Sequence, residues 1–165
     1  ILHNYYASKY DLALTANDLY AYDSSVEGDF DYNLVGIYDN SSDIKSQSYT
    51  GTGIVYIDNA SNLDAGEHLT IASNFQDSNL LNTNDINCSS TLPDDQTLAS
   101  IWRVDESGDV GTVNLNFVID QISLSSSNYS SVELLISRSS DFSSATTTTG
   151  TIRCNTLTFT GVNPG

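Results

Sequence analysis

Basic residues are scarce in this chain, with five lysines and arginines against 21 aspartates and glutamates and a formal net charge of −16. Phosphate backbones and anionic lipid surfaces repel such a charge, so we expect neither nucleic acid nor membrane insertion among its interactions. A run of about 18 apolar residues is also missing, and we therefore expect no membrane-spanning helix.

Cysteine and histidine are limited to two residues each, and methionine is absent. Cys88 and Cys154 are compatible with one disulfide, which would close a loop of about 66 residues and contribute about 4 kcal/mol through loop entropy. Two buried thiols are the alternative. Neither cysteine has a second cysteine or a suitable histidine near it in the sequence, so a zinc site is not expected.

Sequence motifs of catalysis are also lacking. The chain has no G-x-S-x-G motif, and neither histidine lies near a nucleophile motif. Asp105 with Glu106 and Asp94 with Asp95 are adjacent carboxylates, but neighbours in a strand face opposite ways. Catalytic carboxylates converge across a cleft at about 5 to 9 Å. We therefore expect no enzymatic activity and no organic cofactor.

A periodic apolar pattern is present. Hydrophobic residues make up 39% of the chain, enough for a packed core. Leu2, Tyr5, Tyr6 and Tyr10 fall on one face of a helix over residues 1–10. From residue 19 onward the period is two residues, or short apolar runs lie between Asn, Asp, Ser and Gly clusters, which predicts strands. The predicted strands cover residues 19–22, 32–38, 53–57, 68–73, 100–106, 110–120, 131–137 and 151–162.

About eight short strands with frequent turns favour a mainly β fold, a two-sheet antiparallel β-sandwich with one short N-terminal helix. We expect a single domain over residues 1–165, with a helical segment at 1–14 and the sandwich at 19–165. Strands 100–106 and 110–120 are separated by Ser-Gly-Asp, which predicts a hairpin. The residues of these two strands expected in the core are Trp102, Val104, Val113, Leu115 and Phe117.

One acidic loop has the composition of a calcium site. Asp23, Glu27, Asp29 and Asp31 alternate in a glycine-containing stretch, where several oxygens can converge on one ion. Their spacing is not that of an EF-hand, and a plain solvated loop is the alternative. Calcium is the candidate cofactor of the chain. Two secondary candidate pairs are Asp39 with Asp43 and Asp58 with Asp64.

Tyrosine is unusually frequent, with ten residues spread along the chain. Its ring offers a flat apolar face and a hydroxyl at modest entropy cost, which suits both carbohydrate stacking and protein interfaces. We expect most of these tyrosines to be core or half-buried strand residues.

Three stretches resemble a known family: the N-terminal segment ILHNYYASKYDLAL, the strand pair IWRVDESGDVGTVNLNF, and SVELLISRSSDFSSAT followed by LTFTGV. They are similar to the uncharacterised β-rich domain that follows a laminin-G or concanavalin-like jelly roll in large secreted surface proteins of Gram-negative, often marine, bacteria. That family's first helix typically reads YLAxKYGxxL. Asp11 stands here where glycine is usual, and the matching residues are Tyr6, Ala7, Lys9, Tyr10 and Leu14.

The most specific part of the resemblance is the pattern W-x-V-x-E-x-G-x-V-G-x-V. It is matched in this sequence by Trp102, Val104, Glu106, Gly108, Val110, Gly111 and Val113. The resemblance implies a non-catalytic part of an adhesin, filament or gliding-associated surface protein.

These expectations combine into one functional hypothesis and one alternative. The hypothesis is an extracellular structural or adhesive module at the bacterial cell surface, whose partners are neighbouring domains, copies of itself, or a surface glycan or protein. The alternative is a calcium-dependent, lectin-like domain that binds carbohydrate or peptide.

Overall fold

The computed structural model describes residues 2–10, 12–16, 18–23, 26, 28–50, 53–74, 81–82, 97–98, 100–122 and 131–165. One helix, α1 (Leu2–Tyr10), precedes the strands, and a 3-10 turn spans Ile119–Gln121. The strands among the described residues are β1 (Tyr32–Asp39), β2 (Ile44–Lys45), β3 (Ser48–Tyr49), β4 (Val55–Asp58), β5 (His68–Ser73), β6 (Leu81–Asn82), β7 (Thr97–Leu98), β8 (Trp102–Ser107), β9 (Val113–Val118), β10 (Glu133–Ile136), β11 (Thr146–Thr149), β12 (Thr151–Arg153) and β13 (Thr156–Val162).

The fold is mainly β, as the sequence predicts, and every strand pair is antiparallel. The first sheet has the order β2-β1-β5-β8, and the second has the order β12-β13-β9-β4-β3. Two small pairs, β10 with β11 and β6 with β7, lie outside these sheets.

The core lies between the two sheets, which pack as a β-sandwich. Side chains alternate along each strand, so β4 buries Val55 and Ile57 while Tyr56 and Asp58 are only half-buried on its other face. One continuous apolar cluster joins both sheets, with β1 and β5 on one side and β4, β9 and β13 on the other. Val132, Leu134 and Ile136, from β10 and the residue before its start, pack against the same cluster.

The five residues predicted for the core all lie at this cluster. Trp102 and Val104 are half-buried against it, while Val113, Leu115 and Phe117 are buried within it. Phe117 sits between two aromatic neighbours, with ring centroids 5.8 Å from Trp102 and 6.0 Å from Phe159, both edge to face. This geometry is the favourable one for aromatic pairs.

The N-terminal segment forms a third layer on the side of the first sheet that points away from the core. Tyr20 is 1% exposed and packs with Leu34 of β1 and Ala72 of β5, which point away from the central core. Its hydroxyl donates a hydrogen bond to the carbonyl of Phe30 at 3.0 Å. Because both faces of β1 are covered, five consecutive residues of this strand, 33–37, are buried.

The predicted strand at residues 19–22 is wrong, since these residues belong to the third layer and to no strand. Side chains of the first sheet replace strand partners for their backbone. The Asp105 carboxylate accepts the Ala21 N–H at 3.1 Å, and the Thr70 hydroxyl donates to the Leu19 carbonyl at 3.3 Å.

The predicted hairpin of residues 100–106 and 110–120 is also wrong. β8 pairs with β5 in the first sheet, whereas β9 pairs with β4 and β13 in the second, so residues 108–112 cross between sheets. Two carboxylates hold this crossing: Glu67 accepts the N–H of Asp109 at 3.0 Å, and Glu106 accepts the N–H of Val110 at 2.9 Å. Val110 is fully buried and anchors the crossing to the core.

Near the C-terminus the predicted strand over 151–162 is two strands, β12 and β13, joined by a turn at Cys154 and Asn155. Cys154 has a φ of 52°, the left-handed conformation that such a tight turn requires. β11 lies in the threonine-rich stretch that carries no apolar alternation, and the sequence pattern does not predict it.

Candidate functional site

The face of the second sheet that points away from the core carries a row of aromatic and polar side chains, one from each strand. Strand register places Tyr49 opposite Tyr56, Tyr56 opposite Asn116, Asn116 opposite Thr158, and Thr158 opposite Thr151. We call this surface the outer face. Successive side chains of a strand point to opposite faces, so the alternation that points Val55, Leu115 and Leu157 inward points this row outward.

Two tyrosines stack at the edge of the outer face. The rings of Tyr49 and Tyr56 lie 4.6 Å apart with an interplanar angle of 28°. The Thr156 side chain of β13 lowers the pKa of Tyr56, which places the Tyr56 hydroxyl near Thr156. Asn116 on β9 lies between Tyr56 and Thr158 in the strand register and is only 3% exposed, although it points outward.

Tyr49 is the accessible member of the stack, with 58% of its surface exposed. Burial raises the pKa of Tyr56, and the Asp58 carboxylate and Tyr49 raise it further. The Tyr56 side chain therefore stays neutral and supports one face of the Tyr49 ring, and Tyr49 presents its ring to solvent.

A shallow, open groove of about 580 Å³ lies on this side of the sheet. Gln47 joins it to the stack, because its side-chain amide donates to the Tyr49 hydroxyl at 3.2 Å. Asn59 has a φ of 57° in the turn after β4, which carries the chain around the end of the groove. The lining residues contain no basic side chain; they are Ser46, Gln47, Asp58, Asn59, Ala60 and Asn114.

Asp58 is the one charged residue among the described residues that line the groove, and it faces Asn114 across the β4–β9 pair. Its Oδ1 atom is buried and has no hydrogen-bond partner among the described residues. The same holds for the Nδ2 atom of Asn116, whereas the Oδ1 atom of Asn116 accepts from the Thr158 hydroxyl at 2.8 Å. Unpaired buried polar atoms are rare in proteins and indicate a missing partner such as water or a ligand.

The predicted calcium loop is only partly described. Asp23 and Asp31 are half-buried and Asp29 is exposed with a φ of 51°, while Glu27 lies outside the described residues. Asp23 and Asp31 lie near the Tyr20 phenol, and their charges add to burial in raising the pKa of Tyr20. Among the described residues, no group of three or more His, Cys, Asp or Glu is arranged to hold a metal. The calcium site stays a prediction.

The two secondary acidic pairs have different surroundings. In the β1–β2 turn, Asp39 accepts the Ser41 N–H at 2.7 Å, and the Tyr38 hydroxyl donates to Asp43. The bond to Asp43 raises the pKa of Tyr38, with smaller effects of burial and charge. Asp58 lines the groove, whereas Asp64 is exposed in the turn before β5 and is not among the lining residues.

The predicted disulfide also stays a prediction. Cys154 is exposed in the turn between β12 and β13 and forms no disulfide with another described residue. Cys88 lies outside the described residues, as do Asp94 and Asp95.

A second cleft of about 330 Å³ lies between the N-terminal layer and the first sheet and is lined by both histidines, His3 and His68. Glu67 also lines it, but its carboxylate accepts the N–H groups of Asp109 and Asp64, at 3.0 and 2.8 Å. These bonds lower the pKa of Glu67 and use the carboxylate to hold turns. The Glu67 carboxylate of this cleft therefore has a structural role.

Sequence reasoning predicted Asp58 as an acidic candidate but not its companions Gln47, Tyr49 and Asn114. Tyr49 lies in a strand of two residues, too short to show a period. A usable signal was present in β4 and β9, where Tyr56 and Asp58 alternate with apolar residues, as do Asn114 and Asn116.

The fold and the site together define an antiparallel β-sandwich with a third N-terminal layer and a polar, aromatic outer face. The chain belongs to the family described as a domain of unknown function, DUF8202, whose model matches residues 2–164. No curated protein and no solved structure matches the chain. The one helix among the described residues is too short to cross a membrane.

Proposed function

We propose that the protein is a non-catalytic adhesive module of a secreted or surface-exposed bacterial protein, and that it adheres through the outer face of its second sheet. The extracellular location is supported by the acidic, lysine-poor composition and by the resemblance to domains of bacterial surface proteins. The sandwich carries this face on a rigid scaffold. Neighbouring domains or further copies of the module would supply additional contacts.

One observation carries the proposal: Tyr49 is 58% exposed and yet held in place. The Tyr56 ring stacks on it at 4.6 Å, and the Gln47 amide bonds its hydroxyl. A free surface tyrosine loses conformational entropy when it is bound, whereas a side chain that is already ordered loses little. An ordered, exposed aromatic ring beside a polar groove has the properties of a binding surface.

A calcium-dependent form of the same function is the second candidate. It is favoured by the buried Oδ1 of Asp58, which has no hydrogen-bond partner in the described part of the chain and lies in a groove whose described polar side chains all carry oxygen. Hard cations such as calcium take carboxylate, amide and hydroxyl oxygens as ligands. Binding in calcium and in EDTA separates the two candidates.

Adhesion is tested with beads that carry the biotinylated chain and are passed over the extracellular matrix of a Gram-negative biofilm. We expect the wild type and Tyr10→Ala to be retained well above albumin-coated beads. Tyr10 is a matched control because it is 59% exposed, stacks on Tyr6, and lies in α1 in the N-terminal layer. Beads that carry Tyr49→Ala should be retained roughly tenfold less, because every copy of the chain on the bead loses one aromatic contact.

Two results contradict the proposal. Wild-type beads that are retained no better than albumin beads would indicate a spacer without an adhesive surface. Equal retention of wild type and Tyr49→Ala would place adhesion elsewhere on the molecule. Retention that EDTA abolishes and calcium restores supports the second candidate.

A further inference from the structure

We infer that the ligand of the outer face is a neutral polysaccharide, with one sugar ring stacked on Tyr49 and its hydroxyls bonded to Asp58 and the amides of the groove. This inference rests on the proposed function and adds the chemical class of the ligand. It draws on the charge of the groove, the types of its side chains and its shape.

Charge excludes acidic polymers. The chain has a formal net charge of −16, and the described residues that line the groove include the Asp58 carboxylate and no basic side chain to offset it. Uronic-acid and sulfated polysaccharides, like nucleic acids, would be repelled by this surface. A neutral polymer meets no such barrier.

Side-chain type disfavours a protein partner. Protein interfaces have an apolar, fully buried centre, and their strongest contacts come from anchors that fill apolar pockets. Ala60 is the one apolar residue among the described residues that line this groove. The groove therefore offers a protein partner almost no apolar surface to bury.

The same side chains suit hydroxyl groups. A hydroxyl both donates and accepts hydrogen bonds, so it can donate to the Asp58 carboxylate while it accepts from the amides of Asn114 or Asn59. Bonds to a charged acceptor are stronger than bonds between neutral groups, which makes Asp58 the main polar contact. A cation alone would pair with Asp58 and would give the amide N–H groups no hydrogen-bond acceptor.

Tyr49 supplies the apolar part of the contact. The C–H groups on one face of a sugar ring form an apolar surface that packs against an aromatic ring. Gln47 orients the Tyr49 hydroxyl at the groove, so a ring on Tyr49 lies next to the polar side chains. A small ligand normally occupies a deep pocket that covers most of its surface. This groove is shallow and open, which fits a polymer that gains affinity from successive rings.

The test is affinity gel electrophoresis of the whole chain in gels that contain soluble β-glucan, xylan, mannan or galactomannan, and in parallel gels that contain alginate or polygalacturonate. We expect at least one neutral polymer to retard the wild type and neither acidic polymer to do so. Tyr49→Ala and Asp58→Asn should each weaken binding about tenfold, whereas Tyr49→Phe, which keeps the ring, should lose less. Tyr10→Ala and Asp64→Asn are the matched controls, since each makes the same chemical change away from the groove. Far-UV circular dichroism and melting curves confirm that each variant is folded.

Several outcomes overturn the inference: no retardation by any neutral polymer, equal retardation by the acidic polymers, or equal binding by wild type and Tyr49→Ala. Binding that EDTA removes would show that a cation is required and would overturn a contact made by sugar hydroxyls alone. Failure here is distinct from failure of the proposed function. If beads adhere through Tyr49 while no neutral polysaccharide binds or competes, the adhesive function stands and the ligand class is wrong.

Discussion

At the scale of single residues, Trp102 has a polar atom without a partner inside an apolar environment. Its ring packs edge to face on Phe117 with centroids 5.8 Å apart, but its indole N–H is buried with no hydrogen-bond acceptor among the described residues. A buried donor without an acceptor costs about 1–3 kcal/mol. The ring therefore stabilises the core, while the N–H opposes that stabilisation.

We predict that Trp102→Phe and Trp102→Ala differ sharply in the free energy of unfolding. Trp102→Ala removes the ring and should cost about 3–5 kcal/mol. Trp102→Phe keeps an aromatic ring and removes the unpaired donor, and it should cost less than about 1.5 kcal/mol. Urea denaturation of both variants measures the two values. A loss well above about 1.5 kcal/mol for Trp102→Phe would mean that the N–H has a partner, such as a bound water.

Residue patterns predicted the inward face of β9 well and the outer face poorly. Val113, Leu115 and Phe117 alternate with Asn114 and Asn116 over five positions, which is long enough to fix the buried side. Tyr49 has no such context, because β3 has two residues and its place is set by the pairing with β4. The exposed, stacked position of Tyr49 depends on that pairing, and no local sequence pattern predicts the pairing.

At the scale of elements, the third layer depends on a small number of side-chain contacts with the first sheet. Tyr20 is 1% exposed, and its hydroxyl donates to the Phe30 carbonyl, which links residues 20 and 30 of this layer. Burial raises the pKa of Tyr20 far above its usual value, with the charges of Asp23, Asp31 and Asp105 adding to it. The phenol therefore stays protonated and keeps donating over the physiological pH range.

We predict that Tyr20→Phe loosens this layer while leaving the sandwich folded. The Phe30 carbonyl would lose its donor, at a cost of about 1–3 kcal/mol. Hydrogen exchange should increase in residues 18–23 and 28–31 and stay unchanged in β9 and β13. Tyr22→Phe is the control, because the Tyr22 hydroxyl makes no hydrogen bond among the described residues, while its ring packs on Arg103 at 4.1 Å. Uniform acceleration across all strands would contradict an independent layer.

The crossing at residues 108–112 shows what local patterns leave undetermined. A short glycine-containing connection between two apolar strands predicts a hairpin. Here the carboxylate of Glu67, 42 positions before Asp109, accepts a backbone N–H of the connection and helps to turn the chain toward the other sheet. Contacts so distant in sequence cannot be read from the connection itself.

At the scale of the whole molecule, the acidic charge and the engaged carboxylates act on stability in opposite directions as pH falls. Protonation relieves repulsion among 21 acidic residues, but it also breaks the bonds that individual carboxylates accept. Asp141 is a clear case, since a hydrogen bond from the Ser139 hydroxyl, with a further bond from the Ser143 N–H, lowers its pKa to about 2.

We predict that wild type is more stable than Asp141→Asn at neutral pH and that this difference disappears in acid. The folded pKa of Asp141 lies below its ordinary value of 3.8, so the stabilisation is fully present above that value. It is lost as pH falls from about 4 to about 2. Urea midpoints of both chains at pH 7, 4, 3 and 2 measure the difference, and a gap that persists unchanged at pH 2 would refute the assignment. Comparing two chains at each pH cancels the general charge effect.

The allocation of strands to sheets has a consequence for the integrity of the chain. Each sheet combines strands from both sides of the long stretch between β5 and β8: β5 joins β8 in the first sheet, and β4 joins β9 in the second. A cut within that stretch would leave strands of both sheets on each fragment. Neither fragment would contain a whole sheet, so neither could form the sandwich alone, and a cleaved chain would keep its fold only while the two fragments stayed paired.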